Sequence, residues 1–579
     1  MRPREDLREQ HRHVPPVAHA RLRPRPRPRP WPQPPTPDPA PVPAATAAAA
    51  AAARPRWTRR QVLAGGGAAL GLGLVGVLGW KGAWAEARLG EARAALGDLG
   101  LPLPGLHGPG AASASAGIAD GAGGGGARTV RATLSAQPVT IDLGGPVVRT
   151  WAYGDALPGP LLRGRVGDTL EVAVRNHLPQ ATTVHWHGMA IPNPMDGVPN
   201  LTQQPIAPGA AMTYRFVLPH PGTYWYHPHV GVQLDRGLYG PLIVDDPADP
   251  GRYDAEFTVV LDDWLDGTGR TPDQVLQQLA GGMEMDMSGM SMGEAAGMAS
   301  MRSAALGGDA GDVDYPHYLV NGRVPSAPVT LRARPGQRVR IRLLNAGADT
   351  AFRVALGGHR LTVTHSDGYP VRPVTVDSLL IAMGERYDLE VILGDGAFPL
   401  VAEAEGKGAR GLAVVRTAGG AIPGAAAKPA ELRGRLLRLS DLDAAPEAAL
   451  PRQRLDRVHD MVLQGDMAGY RWTINGRGYD HLRPSDAPAL PLSDGERLRL
   501  RFVNLSPMFH PMHVHGHTFQ VRTAGSASGA GPRKDTVLVR PLETVVCDLA
   551  ADNPGTWMAH CHNLYHAESG MMALLAYQN

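Results

Sequence analysis

Three ten-residue stretches of the chain alternate apolar with polar positions and share their ends. Residues 167–176 read GDTLEVAVRN, 336–345 read GQRVRIRLLN and 495–504 read GERLRLRFVN. Side chains alternate between faces along a strand, so each copy predicts a half-buried strand entered from a glycine turn. The copies start 169 and 159 residues apart. Recurrence at that length predicts three homologous β domains, at 131–248, 249–430 and 431–579. Short strands between frequent turns predict an all-β fold of Greek-key sandwiches. The 71 glycines and 54 prolines among 579 residues lack a collagen period and suit such turns.

The pattern is absent from the first 130 residues. Residues 1–57 mix an Arg/Pro alternation (RLRPRPRPRPWPQPP) with an alanine run, and neither builds a core, so a disordered leader is expected. A gene start placed too far upstream is the plain alternative. Arg59 and Arg60 then precede an apolar stretch, 62–80, that ends near Ala83-Trp84-Ala85. Residues 58–85 thus predict a twin-arginine export signal. A membrane anchor is the alternative reading, and seven glycines between 65 and 79 make a poor permanent span. Residues 86–130 are expected to be a linker. The formal charge of +3 divides accordingly. Residues 1–60 hold thirteen Arg against four acids, a net of +9, and Lys81 adds one more. The chain from Glu86 onward therefore carries −7, which argues against nucleic acid as a partner.

The repeat also serves as a ruler for histidines. Nine and eleven residues past Asn176 stand His185 and His187; the same offsets from Asn504 give His513 and His515. Five and seven past Gly222 stand His227 and His229, matched past Gly555 by His560 and His562. The middle copy has Val354 and Leu356 at the first pair of offsets. Residues i and i+2 of a strand share a face, so each His-x-His pair aims two imidazoles at one spot. A lone pair would more often be surface or core histidine. Four pairs in register supply eight nitrogens, too many for one ion and suited to a cluster of copper, zinc or iron. Cys561, between His560 and His562, faces the other way. With His510, His566 and Met571 it completes the two-imidazole, thiolate and weak thioether set of a blue copper site. The matching residues in the first copy are Thr182, Gln233, Pro228 and Leu238. A Cys547–Cys561 disulfide would break that set, so Cys547 is expected to be a buried thiol.

The motifs HWHG (185–188), HPH (227–229), HPMHVHGH (510–517) and HCHNLYHAESGMM (560–572), in this order, resemble those of three-domain multicopper oxidases. That group includes laccases, bilirubin oxidases and bacterial cuprous oxidases. The resemblance implies three cupredoxin-like domains and four copper ions. It places type 2 copper on His185 and His513, and the type 3 pair on His187, His227, His229, His515, His560 and His562. Type 1 copper falls to His510, Cys561, His566 and Met571. Substrate electrons would enter singly at type 1, and dioxygen would be reduced to water at the trinuclear cluster. His517 is not a ligand in this pattern. Two carboxylates are candidates for proton supply. Asp196 lies in the loop after HWHG, with a turn-forming aspartate as the alternative. Glu568 stands one residue beyond the place where bacterial relatives carry glutamate, here Ala567.

Residues 283–301 bear on the substrate. They hold Met283, Met285, Met287, Met290, Met292, Met298 and Met301 among Gly and Ser. Thioether sulfur prefers Cu(I), and the stretch is similar to the methionine insertions of cuprous oxidases; a spacer with incidental methionine is the alternative. The expected protein is an exported cuprous oxidase, outside the cytoplasmic membrane and monomeric, serving copper tolerance. A laccase-like oxidase of phenols and aromatic amines is the alternative, and a non-catalytic copper-binding cupredoxin a remote one. Dioxygen, Cu(I) or a small phenol, and the twin-arginine machinery are the expected partners.

Overall fold

The computed structural model describes residues 127–249, 251–281, 301–522 and 529–578. The expected leader and export signal, and the methionines from Met283 to Met298, lie outside these residues. No helix among the described residues is long and apolar enough to cross a membrane.

Strands dominate the described residues and form three pairs of sheets in chain order, plus a two-stranded ribbon of Arg302–Ser303 and Gly308–Asp309. The first pair sets Thr129–Asp142, Val147–Tyr153, Thr169–Asn176 and Ala211–Val217 against Leu162–Arg165, His185–His187, Gly222–His227 and Gly240–Asp245. Leu134, Val172 and Phe216 from one sheet and Trp186, Tyr226 and Leu242 from the other share one core. The second and third pairs each join a six-stranded to a five-stranded sheet.

The three repeat strands occupy equivalent places. Thr169–Asn176, Arg338–Asn345 and Arg497–Asn504 each run parallel to one long strand, respectively Thr129–Asp142, Ala255–Trp264 and Arg457–Asp466. Each also pairs with an antiparallel neighbour. The glycine opening each copy has φ between +77° and +88°, a left-handed turn that a side chain would strain. The closing asparagines are fully buried, and each amide makes the same three bonds. Asn504 Nδ2 donates to the carbonyls of Met508 and Val539, and its Oδ1 accepts the Ser506 N–H. Asn176 and Asn345 repeat the arrangement with Gln180, Ile206 and Leu178, and with Thr350, Ile381 and Gly347. A buried amide must satisfy its donors and acceptor, so this residue fixes the loop leading toward the next strand.

One copy departs from the half-buried expectation. Arg338–Asn345 is buried at every position but the first. Arg340 and Arg342 are covered because Asp388 bonds both; Arg342 Nη1 also donates to Thr223 Oγ1 of the first sandwich. The polar face here is an interface between sandwiches rather than a solvent face.

Candidate metal centres

The short strand His185–His187 pairs with Gly222–His227, placing His185 opposite His227. In the third sandwich His510–Val514 pairs with Thr556–Cys561, placing His513 opposite His560. The same register in both brings the four His-x-His pairs together where the sandwiches meet. The rings of His187 and His513 stack at 3.7 Å between centroids, and those of His185 and His515 at 3.8 Å. His560 Nε2 lies 3.1 Å from His515 Nε2 and 3.3 Å from His229 Nε2. All eight histidines are buried.

In six of the eight rings an outer contact decides which nitrogen faces inward. His185 Nδ1 donates to the Asp196 carbonyl (2.9 Å) and Oδ1 (3.1 Å), His227 Nδ1 to Pro228 O, His513 Nδ1 to Asp535 O and His560 Nδ1 to Cys561 O. His515 Nδ1 donates to Asp196 Oδ2 at 2.9 Å. His187 is reversed: its Nε2 donates to Asp535 Oδ1 at 3.0 Å. The opposite nitrogens, His185 Nε2, His187 Nδ1, His227 Nε2 and His513 Nε2, are buried without a partner, as are both nitrogens of His562. Burial, with neighbouring imidazoles, holds His187, His227, His229, His515 and His562 well below the usual histidine range, and His560 down to about 3. Neutral rings with unpartnered lone pairs converging in a buried site are the donor set a metal cluster requires, so the residues fit the expected copper ions.

A separate group forms on the other face of the Thr556–Cys561 strand. His510 Nδ1 and His566 Nδ1 face each other at 3.1 Å, with Cys561 Sγ at 3.6 and 3.8 Å. Their outer nitrogens are held: His510 Nε2 donates to Ser506 Oγ (2.6 Å) and His566 Nε2 to Asp312 Oδ2 (2.8 Å). Asn563 N–H donates to the Cys561 sulfur. Burial pushes the Cys561 thiol up, so a cation must stabilise its thiolate. Met571 is fully buried; its carbonyl accepts the Cys561 N–H and its N–H donates to His566 O. Both cysteines are free, and Cys547 is buried in another sheet.

The remaining sequence candidates separate. Both Asp196 oxygens accept from ring nitrogens of the cluster, those of His185 and His515. Glu568 pairs with His481 at 3.3 Å and lines a cavity of about 20 Å³ together with His229 and His560. Burial raises its carboxyl above the usual range, against the pull of His481. His517 aims neither nitrogen at a cluster: Nε2 meets Tyr577 Oη at 2.7 Å, and Nδ1 donates to the backbone carbonyl of the cluster residue His515 at 3.1 Å. Met301 shares a buried apolar cluster with Met383 and Phe509, the latter the chain neighbour of His510.

Sequence reasoning missed Ser506, Asp312, Asp535 and Arg386. Asp535 is held well below the carboxylate range: burial pushes it up, but the Arg386 charge and hydrogen bonds outweigh that. Only Ser506, between Asn504 and His510, had a local signal.

Family models described as multicopper oxidase match residues 135–249, 256–419 and 454–579. The chain is 50% identical to multicopper oxidase MmcO of Mycobacterium tuberculosis over 78% of its own length and 87% of that protein. It is 28% identical to copper resistance protein A of Escherichia coli, covering 76% and 91% respectively. Among solved structures it resembles a multicopper oxidase of Pseudomonas thermotolerans (30% identity, TM-score 0.60, covering 78% and 100%). A laccase of Botrytis aclada is also similar (25%, TM-score 0.64, covering 78% and 88%). With three consecutive family matches, a relative at half identity and two donor groups suited to copper, the chain belongs to the multicopper oxidases, copper-dependent enzymes that carry four copper ions and use dioxygen as acceptor.

Proposed function

We propose that this enzyme oxidises Cu(I) and serves copper tolerance. In this reading His510, Cys561, His566 and Met571 hold the type 1 ion. His185 and His513 hold type 2, and His187, His227, His229, His515, His560 and His562 the type 3 pair. Bound copper supplies the one-electron oxidation of substrate and the four-electron reduction of dioxygen to two waters. The chain's contribution is connection: Cys561 is joined through single peptide bonds to His560 and His562, and that strand carries the reading. Asp196 and Glu568 are the proposed proton carriers. Asp196 touches two of the histidines, and Glu568 lines a cavity with room for about one water. The proposed domains are 131–248, 249–430 and 431–579.

Support for Cu(I) comes from methionine. Residues 283–301 are rich in soft thioethers, and the last of them, Met301, belongs to the same buried apolar cluster as Phe509, the chain neighbour of His510. Relatives include copper resistance proteins. Fungal relatives named laccases favour a second reading, oxidation of phenols. Oxygen uptake with Cu(I) and with a phenol, before and after deleting 283–301, separates the two. Deletion should slow Cu(I) oxidation more than phenol oxidation; equal losses would contradict the role of the methionines.

We also infer export as a monomer by the twin-arginine route, on the strength of Arg59 and Arg60 before a glycine-rich apolar stretch. Replacing both with lysine should stop export, and unchanged export would contradict it.

A further inference from the structure

The middle sandwich contributes no His-x-His pair, yet it reaches the trinuclear histidines. Arg386, which opens the strand Arg386–Ile392, is fully buried. Its guanidinium grips Asp535 with two parallel bonds, Nη1 to Oδ1 at 2.7 Å and Nη2 to Oδ2 at 2.6 Å. Nε donates to the Thr223 carbonyl of the first sandwich at 3.0 Å, and Nη1 to Gly384 O. Asp367 braces both partners, accepting the backbone N–H groups of Arg386, Asp535 and Thr536. One residue each from the first, second and third sandwiches is thus fastened at a single point.

Two glycines show how closely this clamp fits. Gly188, the last residue of HWHG, has φ +85°, and a Cβ there would lie 2.4 Å from Arg386 Nη2 and 2.7 Å from Asp535 Oδ2. The ion pair occupies the place of a side chain. Gly384, with φ +83°, presses against His562 and His187, where a Cβ would lie 2.9 and 3.1 Å from ring carbons. Asp535 in turn touches two histidines. Its Oδ1 accepts from His187 Nε2, and its carbonyl from His513 Nδ1. Those contacts leave His187 Nδ1 and His513 Nε2 as the unpartnered nitrogens.

We propose that Arg386 is a positioning residue of the trinuclear centre: by fixing both Asp535 carboxylate oxygens it sets the tautomer of His187, and by anchoring Asp535 as a whole it sets the aim of His187 and of His513, which bonds the Asp535 carbonyl, and so the retention of copper there. The proposal rests on the reading of those two histidines as ligands. Lysine keeps the charge but cannot form the two-pronged bond, which makes Arg386→Lys the informative variant. Arg353→Lys is the control, because Arg353 forms an equally bidentate pair with Glu405 in the same sandwich, without touching a histidine of either centre.

The copper-loaded full-length proteins are compared by copper content under chelator challenge, electron paramagnetic resonance and blue absorption. Arg386→Lys should lose type 2 copper about 10–100-fold more readily, the range for a residue behind a metal ligand. Its type 2 signal should change while type 1 colour stays, and Arg353→Lys should match the parent. An Arg386→Lys protein with four firmly held coppers and an unchanged type 2 signal would overturn the proposal. So would one that loses the fold or the blue colour as well, since the arginine would then serve the fold at large. A parent protein without any type 2 or type 3 signal would instead refute the ligand reading on which the proposal depends.

Discussion

The first and third sandwiches place different residues at one and the same spot, and only one set invites a metal. Thr182 stands where His510 stands, Gln233 where His566 stands, and Leu238 where Met571 stands. In the first sandwich Thr182 Oγ1 donates to Gln233 Oε1 at 2.7 Å, and Gln233 Nε2 to Ala181 O at 2.8 Å. Those buried groups satisfy each other. In the third, two imidazole nitrogens face one another at 3.1 Å beside a sulfur, an arrangement that a cation resolves. The backbone role is shared all the same: Pro228 O and Cys561 O both accept from the preceding histidine's Nδ1. A cupredoxin-like scaffold therefore holds its cluster histidines in either case. Side-chain chemistry decides whether a second donor group suited to a metal is added.

Removing the sulfur should break the contrast most completely. Cys561→Ser is expected to lose blue colour and turnover entirely while keeping the fold and the trinuclear coppers, as read by absorption, copper content and circular dichroism. Retained oxygen consumption would contradict it. Acid should act next most strongly, on the metal-free protein. Burial lowers eight histidines of the two centres, so the fold keeps them neutral while the unfolded chain takes up protons near 6.5. Their contribution is present above that pH and is lost progressively as pH falls below it, toward the lowered range in which the buried rings take up protons. Thermal denaturation at stepped pH should show this slope; a flat profile from 7 to 5 would argue against it. The Thr182–Gln233 pair adds nothing to the slope. Gln233→Ala should cost roughly 1–3 kcal/mol by removing the close acceptor of Thr182 Oγ1 and the donor to Ala181 O, measured by urea denaturation, with copper content unchanged.

Much of this was legible because a strand repeats every two residues and the domain repeats along the chain. His185, His227, His513 and His560 could be placed by counting, and the parity of Cys561 separated the two centres. Contacts between sandwiches escaped counting. His187 meets Asp535 across 348 positions, His566 meets Asp312 across 254 and Arg386 meets Asp535 across 149. No local period links such residues. The same reason explains Arg340 and Arg342, whose alternation suggested solvent but whose partners lie on other strands and on the first sandwich.

The central claim is that one strand joins a mononuclear site to a trinuclear one. Copper content and electron paramagnetic resonance of the loaded protein, measured beside Cys561→Ser, test it most directly. The account predicts four coppers per chain in the parent and three in the variant, with the type 1 signal alone removed. Loss of all copper signals together, or an unchanged type 1 signal, would contradict it.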